Sequence, residues 1–380
     1  MGLALQKTIT LVLFIGIGFA LKAKFGNKDQ VNGIKNIILT IALPATIFVA
    51  LMGVKIELSL LFLPVLALAF NFIMFLLTPL ILKTFQISKD SSFGRTLMML
   101  LPSLAPGLSC FPFILEYLGE ESLANAALAD VGNKIFVLIV LYIVAMNWYY
   151  KGNTEDHSSS KGKIKSLLLS LLKEPINMVM ILAIVLLSFN LHLENLPVFL
   201  SDAFIRMGAL MTPLVLMFIG LAVKVKKDGV AVVLSVLCCR AGVSLLLSAG
   251  LIAVLGLEGN AALLAIVFPL SSCSFWPFAH MSAFSAREEI KHVSASEKTF
   301  DSELAVLVLA CSLPFSTILI LTVLSSGAVF THMHFLIISA VGLLALGIIP
   351  QLIKKIFFSG SQEDSSKEEK LEHRMVEHVE

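Results

Sequence analysis

Long apolar runs separated by short polar segments occupy most of the chain. Each run is close to the roughly 20 apolar residues that a helix needs to cross a bilayer. Five runs lie near residues 8–22, 34–53, 59–82, 96–117 and 123–149, and six more lie near 175–191, 203–223, 229–255, 260–285, 299–325 and 333–353. The pattern predicts an all-α membrane protein with eleven transmembrane spans.

Polar segments divide these spans into units. Residues 150–173 include the stretch KGNTEDHSSSKGKIK, which has almost nothing to bury and is predicted to form a cytoplasmic linker. It separates a first five-helix unit, residues 1–149, from a second, residues 174–326. One additional C-terminal helix is expected within residues 327–358, followed by an acidic cytoplasmic tail over residues 359–380.

Composition agrees with lipid as the main partner of the chain. Of the 380 residues, 57% are hydrophobic and 14% are charged, whereas an average soluble domain has about 25% charged residues. The net charge is +2 and the basic residues are scattered, so no nucleic-acid partner is expected. The five cysteines form no CxxC pair, and no structural metal site is expected.

The basic residues are distributed unevenly between alternate loops. If the N-terminus is outside, the odd-numbered loops hold nearly all of the loop Lys and Arg, and the opposite loops hold little beyond Lys7 and Lys55. Lys and Arg are retained on the cytoplasmic side during insertion. The chain is therefore predicted to lie in the plasma membrane, the inner membrane if the organism is bacterial, with its C-terminus in the cytoplasm.

Three features recur in the two units at similar spacing. The offsets are 169, 165 and 171 residues, for the pairs Pro44 and Pro213, Pro112 and Pro277, and Asp130 and Asp301. Because the first unit has five spans, an odd number, the second copy would enter the membrane upside down. Inverted repeats of this kind are typical of secondary transporters. We therefore predict an inverted repeat of five plus five helices.

Prolines and serines concentrate in the fourth and ninth spans, in LPSLAPGLSCFPF and FPLSSCSFWPF. Proline breaks or kinks a helix, and broken backbone within a membrane occurs where it is buried in protein or lines a cavity. The two broken helices are predicted to cross near the midplane and to aim unpaired N–H groups at an anion. The alternative is that proline only kinks these two helices so that they pack against their neighbours. The candidate substrate-binding residues are Pro106, Gly107, Ser109, Pro112, Ser271, Ser272, Ser274, Trp276 and Pro277.

Ionisable residues inside a bilayer are costly and are candidates for function. Arg240, inside the eighth span, is a further candidate for binding a carboxylate, or else it reaches the cytoplasmic surface or anchors an interface. Residues two to three turns into the fifth and tenth spans are candidates for binding a coupling ion, H⁺ or Na⁺; they are Asp130, Asn133, Asp301 and Glu303. Alternatively, Asp130 pairs with Lys134 along the helix, and the two acids of the tenth span lie in an interfacial first turn.

Three stretches resemble the auxin efflux carrier family of permeases, which is related in fold to the bile acid:sodium symporters. They are LTIALPATIF, GLSCFPFILEYLGEESLANAALADVGNKIF and ALMTPLVLMFIGLAVK. The resemblance implies a ten-helix inverted-repeat fold with scaffold and transport subdomains, crossing fourth and ninth spans, and carriage of carboxylates. Two features depart from the family: the crossover sequence APGLSCFP lacks the usual Asn, and an eleventh apolar run is present.

These patterns favour a secondary transporter that moves a small organic anion, such as a carboxylate, by alternating access coupled to H⁺ or Na⁺. No other cofactor is expected. A channel or a substrate-binding sensor on the same fold is an alternative, as is a sodium-coupled carrier similar to bile acid symporters. The chain has no HExxH, GxSxG or Walker motif, so it is not expected to be an enzyme. A scaffold surface rich in Leu, Ile and Phe would allow a homodimer.

Overall fold

The computed structural model describes residues 3–25, 27–53, 62–152, 169, 173, 175–222, 229–290 and 297–349. Within these ranges the chain is helical and contains no strand. Most of the predicted linker, the last part of the predicted additional helix and the whole acidic tail over residues 359–380 lie outside the described residues.

The first half of the chain contains α1 Leu3–Phe25, α2 Lys28–Ile37, α3 Leu43–Met52, α4 Phe62–Thr84, α5 Ser92–Leu100, α6 Pro106–Ser109, α7 Phe111–Ile135 and α8 Leu141–Gly152. The second half contains α9 Pro175–Ser188, α10 Val198–Ala209, α11 Met211–Ala222, α12 Val230–Leu255, α13 Gly259–Val267, α14 Phe275–Ile290, α15 Ser302–Ser325 and α16 Met333–Ile349.

Six helical segments of the described chain are long and apolar enough to cross a membrane. They are Asp29–Met52, Phe62–Thr84, Phe111–Lys151, Val198–Ala222, Val230–Leu255 and Ser302–Ser325. The chain is therefore a multi-pass membrane protein, as its hydrophobic pattern predicted. Six is fewer than the eleven predicted spans in part because the fourth and ninth are broken into short helices, α5 and α13, of nine residues each.

Helix irregularities coincide with prolines and with one glycine. Pro44 follows a π-helical turn, Ile38–Ala42, which accommodates a residue that lacks an N–H donor. Pro213 lies just after the interruption between α10 and α11. Gly119 has φ 85° and divides α7 into two parts, because glycine tolerates a positive φ without steric cost. The predicted boundary between the fourth and fifth spans lies at this kink.

Glycines allow α1 and α11 to pack backbone against backbone. A Cβ atom at Gly18 would overlap the carbonyl oxygen of Met217, and one at Gly220 would overlap that of Ile15. Small residues of this kind are the usual means of close helix packing in membranes. The pairing of the first helix of the chain with α11 therefore joins the two halves directly.

We expect Gly18→Ala to lower the apparent melting temperature of the detergent-purified protein, because overpacking a close contact costs about 1–3 kcal/mol. Gly16→Ala is the matched control on the same helix, since no atom lies within 4 Å of a Cβ atom there. The measurement is the fraction that remains monodisperse in size-exclusion chromatography after heating. Equal melting curves for the two variants would contradict the close approach of α1 and α11.

Candidate functional site

The two broken segments, residues 101–105 and 268–274, contact each other through hydrogen bonds. The backbone N–H of Ala105 donates to the carbonyl oxygen of Ser272 at 2.8 Å. The N–H of Ser272 donates to the hydroxyl of Ser109 at 2.9 Å, and the N–H of Ser274 donates to the hydroxyl of Ser103 at 3.0 Å. Ser103 of the first break and Ser109 of α6, the short helix that follows it, therefore satisfy backbone donors of the second break.

The first half-helix of each broken span ends in the same way. The hydroxyl of Ser103 donates to the carbonyl oxygen of Leu100, and the hydroxyl of Ser271 donates to that of Phe268, each at 2.6 Å. The last carbonyls of a helix lack partners within the helix and need one from elsewhere. The two serines lie 168 positions apart, within the range of offsets seen in the sequence.

Arg240, on α12, binds the backbone of the first break. Its Nε donates to the carbonyl oxygen of Leu101 at 2.7 Å, and its NH2 group donates to that of Ser103 at 3.1 Å. The side chain is 2% exposed, and no described carboxylate lies within 4 Å of it. A buried positive charge at the carboxyl end of α5 is favourable because the helix dipole is negative there. The guanidinium thus anchors the break through these two carbonyl oxygens and does not line the cavity described below.

Asn133, on α7, holds the residue in the middle of the same break. Its Nδ2 donates to the carbonyl oxygen of Leu104 at 2.9 Å, and its Oδ1 accepts from the N–H of Leu104 at 3.2 Å. The same amide binds the Oδ1 of Asp130 at 2.8 Å and accepts from Nδ2 of Asn71 at 2.9 Å. One buried amide therefore replaces both helical partners that Leu104 has lost.

Asp130 and Lys134 form a buried ion pair one turn apart on α7. The Nζ of Lys134 lies 3.4 Å from the Oδ2 of Asp130, and the two residues are 5% and 4% exposed. Lys134 also donates to the Oδ1 of Asn177 on α9 at 3.3 Å. A lone charge at this depth would be expensive, so the helix pair that we considered as the alternative is present.

A cavity of about 490 Å³ lies against the crossing of the two breaks. This volume is within the usual range for small-molecule sites. Its charged side chains are Lys35, Asp130 and Lys134, and the Nζ of Lys35 lies 4.6 Å from the centre of the Phe275 ring. The described lining therefore holds two lysine ammonium groups and one carboxylate, an excess of one positive charge.

The structure brings half of the predicted site residues to the wall of this cavity. These are Pro106, Gly107, Asp130, Asn133, Ser272, Ser274 and Trp276. Ser109 and Ser271 contribute instead to the hydrogen bonds of the crossing. Pro112 lies in the first turn of α7, and Pro277 lies in the first turn of α14.

The tenth-span acids lie at a helix end and not two to three turns inside it. Asp301 is the N-cap of α15, where its Oδ1 accepts from the N–H of Leu304 at 2.9 Å, and Glu303 is exposed in the first turn. Their predicted depth is therefore wrong, because Asp301 precedes the first residue of α15, Ser302, and Glu303 lies in its first turn. An acid at this position stabilises a helix start through capping.

Four of the N–H groups at or just after the second break, where unpaired donors were predicted, are bonded to serine hydroxyls. Besides the two serine N–H groups of the crossing, the N–H of Cys273 donates to the hydroxyl of Ser312 at 3.3 Å, and that of Trp276 to the hydroxyl of Ser274 at 3.3 Å. Formal charge in the described lining of the cavity is carried by Lys35, Asp130 and Lys134. Lys35 and Lys134 were not among the predicted site residues, although the position of Lys134 one turn after Asp130 was a usable signal.

Comparison with known proteins agrees with a membrane transport protein. No model of a known protein family matches the chain. Over 223 residues, which cover 57% of this chain and 68% of its relative, the chain is 26% identical to an uncharacterized transporter of Methanocaldococcus jannaschii. The name of that relative states transport and no substrate.

Replacing Asn133 by Ala should make the backbone of the first break open more often, because the N–H and C=O of Leu104 would lose their hydrogen-bond partners. An unsatisfied buried group costs about 1–3 kcal/mol, so amide exchange at Leu104 should accelerate by about tenfold or more. Hydrogen–deuterium exchange of peptides that cover residues 101–110 measures this. Asn125→Ala, on the same helix, is the control, since Asn125 Oδ1 accepts no hydrogen bond from the described chain. Equal exchange in both variants would refute the role of Asn133.

Proposed function

We propose that the protein is a secondary transporter that carries a small organic anion through the cavity at the crossing of the two breaks. The observation that carries the proposal is the pair of ammonium groups, Lys35 and Lys134, against the single carboxylate of Asp130 in a cavity of suitable size. A carboxylate ligand would restore neutrality there, and charge-assisted hydrogen bonds are the strongest that such a ligand can form. The transporter similar in sequence supports the same class of function.

Alternating access would follow from an inverted repeat of five plus five helices. The nine-residue helices α5 and α13 begin 167 positions apart, and each is followed by a break with the same serine hydrogen bond. These matches and the resemblance to auxin efflux carriers support the repeat. In the proposed orientation, with the N-terminus outside, the end of the cavity at Lys35 faces the cytoplasm.

Asp130 is our candidate for binding the coupling ion, H⁺ or Na⁺. It lines the cavity and belongs to a buried network in which Asn71 Oδ1 accepts no hydrogen bond from described residues. A proton on Asp130 would release Lys134 to bind the anion. A sodium ion would instead use the oxygens of Asp130 and Asn71, the hard ligands that such cations prefer. Either route links occupancy of the ion site to the charge available to the substrate.

Neutralising the cavity lysines should weaken substrate binding. In proteoliposome counterflow with mono- and dicarboxylates, we expect Lys35→Gln and Lys134→Gln each to raise the KM by about tenfold or more. Arg206→Gln is the control, because Arg206 forms an exposed pair with Asp202 on α10. Unchanged KM values for both lysine variants would reject the anion site. Binding without counterflow would favour a sensor, and currents far above transporter turnover would favour a channel.

Asp130→Asn should separate transport from its driving gradient. The variant cannot take up a proton at this position and offers a weaker ligand to Na⁺, so uptake should no longer respond to an imposed pH or sodium gradient. Asp202→Asn provides the matched exposed control. Gradient-driven uptake that persists in Asp130→Asn would remove Asp130 from the coupling mechanism while leaving the anion site intact.

A further inference from the structure

A second cavity, of about 370 Å³, lies between α4, α7, α12 and α13. Phe268 and Pro269, where the second break begins, line it, whereas Ser272 to Trp276, at the other end of the same break, line the first cavity. No described residue lines both cavities. The second is therefore a separate compartment, next to the kink at Gly119, where Asn260 Nδ2 donates to the carbonyl oxygen of Leu118 at 3.3 Å.

Two acceptor groups distinguish the wall of this second cavity. The Oδ1 of Asn125 is buried and accepts no hydrogen bond from the described chain. Glu121, one helical turn earlier on α7, is the one charged residue among those described in the lining. Residues three or four apart lie on the same helix face, so the amide oxygen and the carboxylate point to the same side.

Most of the rest of the wall is apolar, with leucines, alanines and the rings of Phe70 and Phe268. Its two other polar residues, Ser122 and Asn260, both donate to the carbonyl oxygen of Leu118. A buried carbonyl without a donor is costly, and none of the described lining groups donates to Asn125 Oδ1. A ligand with an apolar body and one donor group would bury that body in the cavity and donate a hydrogen bond to Asn125 Oδ1. The carboxylate nearby selects a positively charged donor over a neutral or negative one.

We propose that this second cavity binds a small apolar ammonium compound, with its ammonium group on Asn125 Oδ1 and Glu121 and its hydrocarbon body among the leucines and phenylalanines. The site has the opposite charge preference from the cavity at the crossing. It does not depend on the anion transport proposed above, because the two cavities share no described residue.

Equilibrium binding of radiolabelled phenylpropylamine to the full chain in nanodiscs tests the proposal. We expect saturable binding that Asn125→Ala weakens by about tenfold. Glu121→Gln should weaken it by about two- to fivefold, because this carboxylate is exposed and screened. The matched controls are Asn36→Ala, in the first cavity, and Glu120→Gln, outside the lining of the second; both should bind as the unmodified chain does.

Ala261→Phe, which places a ring in the cavity, should abolish binding. Phenylpropanol and phenylpropanoate, which have the same body, should compete at least about tenfold more weakly than the amine. Equal competition by the three compounds, or amine binding that neither Asn125→Ala nor Glu121→Gln changes, would overturn the proposal. If Asn125→Ala does not fold, Glu121→Gln decides alone, because it alters an exposed side chain. If a variant of the second cavity loses amine binding but keeps normal anion counterflow, the two sites act independently.

Discussion

Non-helical backbone inside a bilayer must find hydrogen-bond partners within the protein, because lipid offers none. At the crossing of the two breaks these partners are side chains: the hydroxyls of Ser103 and Ser109, the amide of Asn133 and the guanidinium of Arg240. Each partner comes from a different part of the chain from the group it satisfies, so the crossing holds several helices in one arrangement. The walls of the adjacent cavity are fixed by the same bonds.

The pairing of this backbone with side chains has a consequence for the chemistry of the cavity. Because the N–H groups at Ser272, Cys273 and Ser274 are already paired with serine hydroxyls, these three donors hold the crossing together. Charge in the cavity comes from long side chains on other elements, Lys35 on α2 and Lys134 on α7. A crossing held by these hydrogen bonds, with two ammonium groups beside it, would suit the anion site proposed above.

Local rules predicted the breaks but not their partners. Proline and glycine act on their own helix, so the interruptions after Leu100 and Val267 followed from the sequence alone. The bond from Asn133 to Leu104 spans 29 residues, and that from Arg240 to Leu101 spans 139; no local pattern specifies either. Lys35 was not among the predicted site residues, yet α2 begins at Lys28 and carries it into the cavity wall.

The additional helix α16 contributes to the same crossing through α12. A Cβ atom on Gly242 of α12 would lie 2.8 Å from the carbonyl oxygen of Ala340, and one on Gly347 of α16 would lie 2.6 Å from that of Ser235. Glycines on both helices therefore bring the two backbones into close contact. Arg240 lies between Ser235 and Gly242, so α16 supports the segment that anchors the first break. This packing gives the eleventh apolar run a role in holding the segment of α12 that carries Arg240.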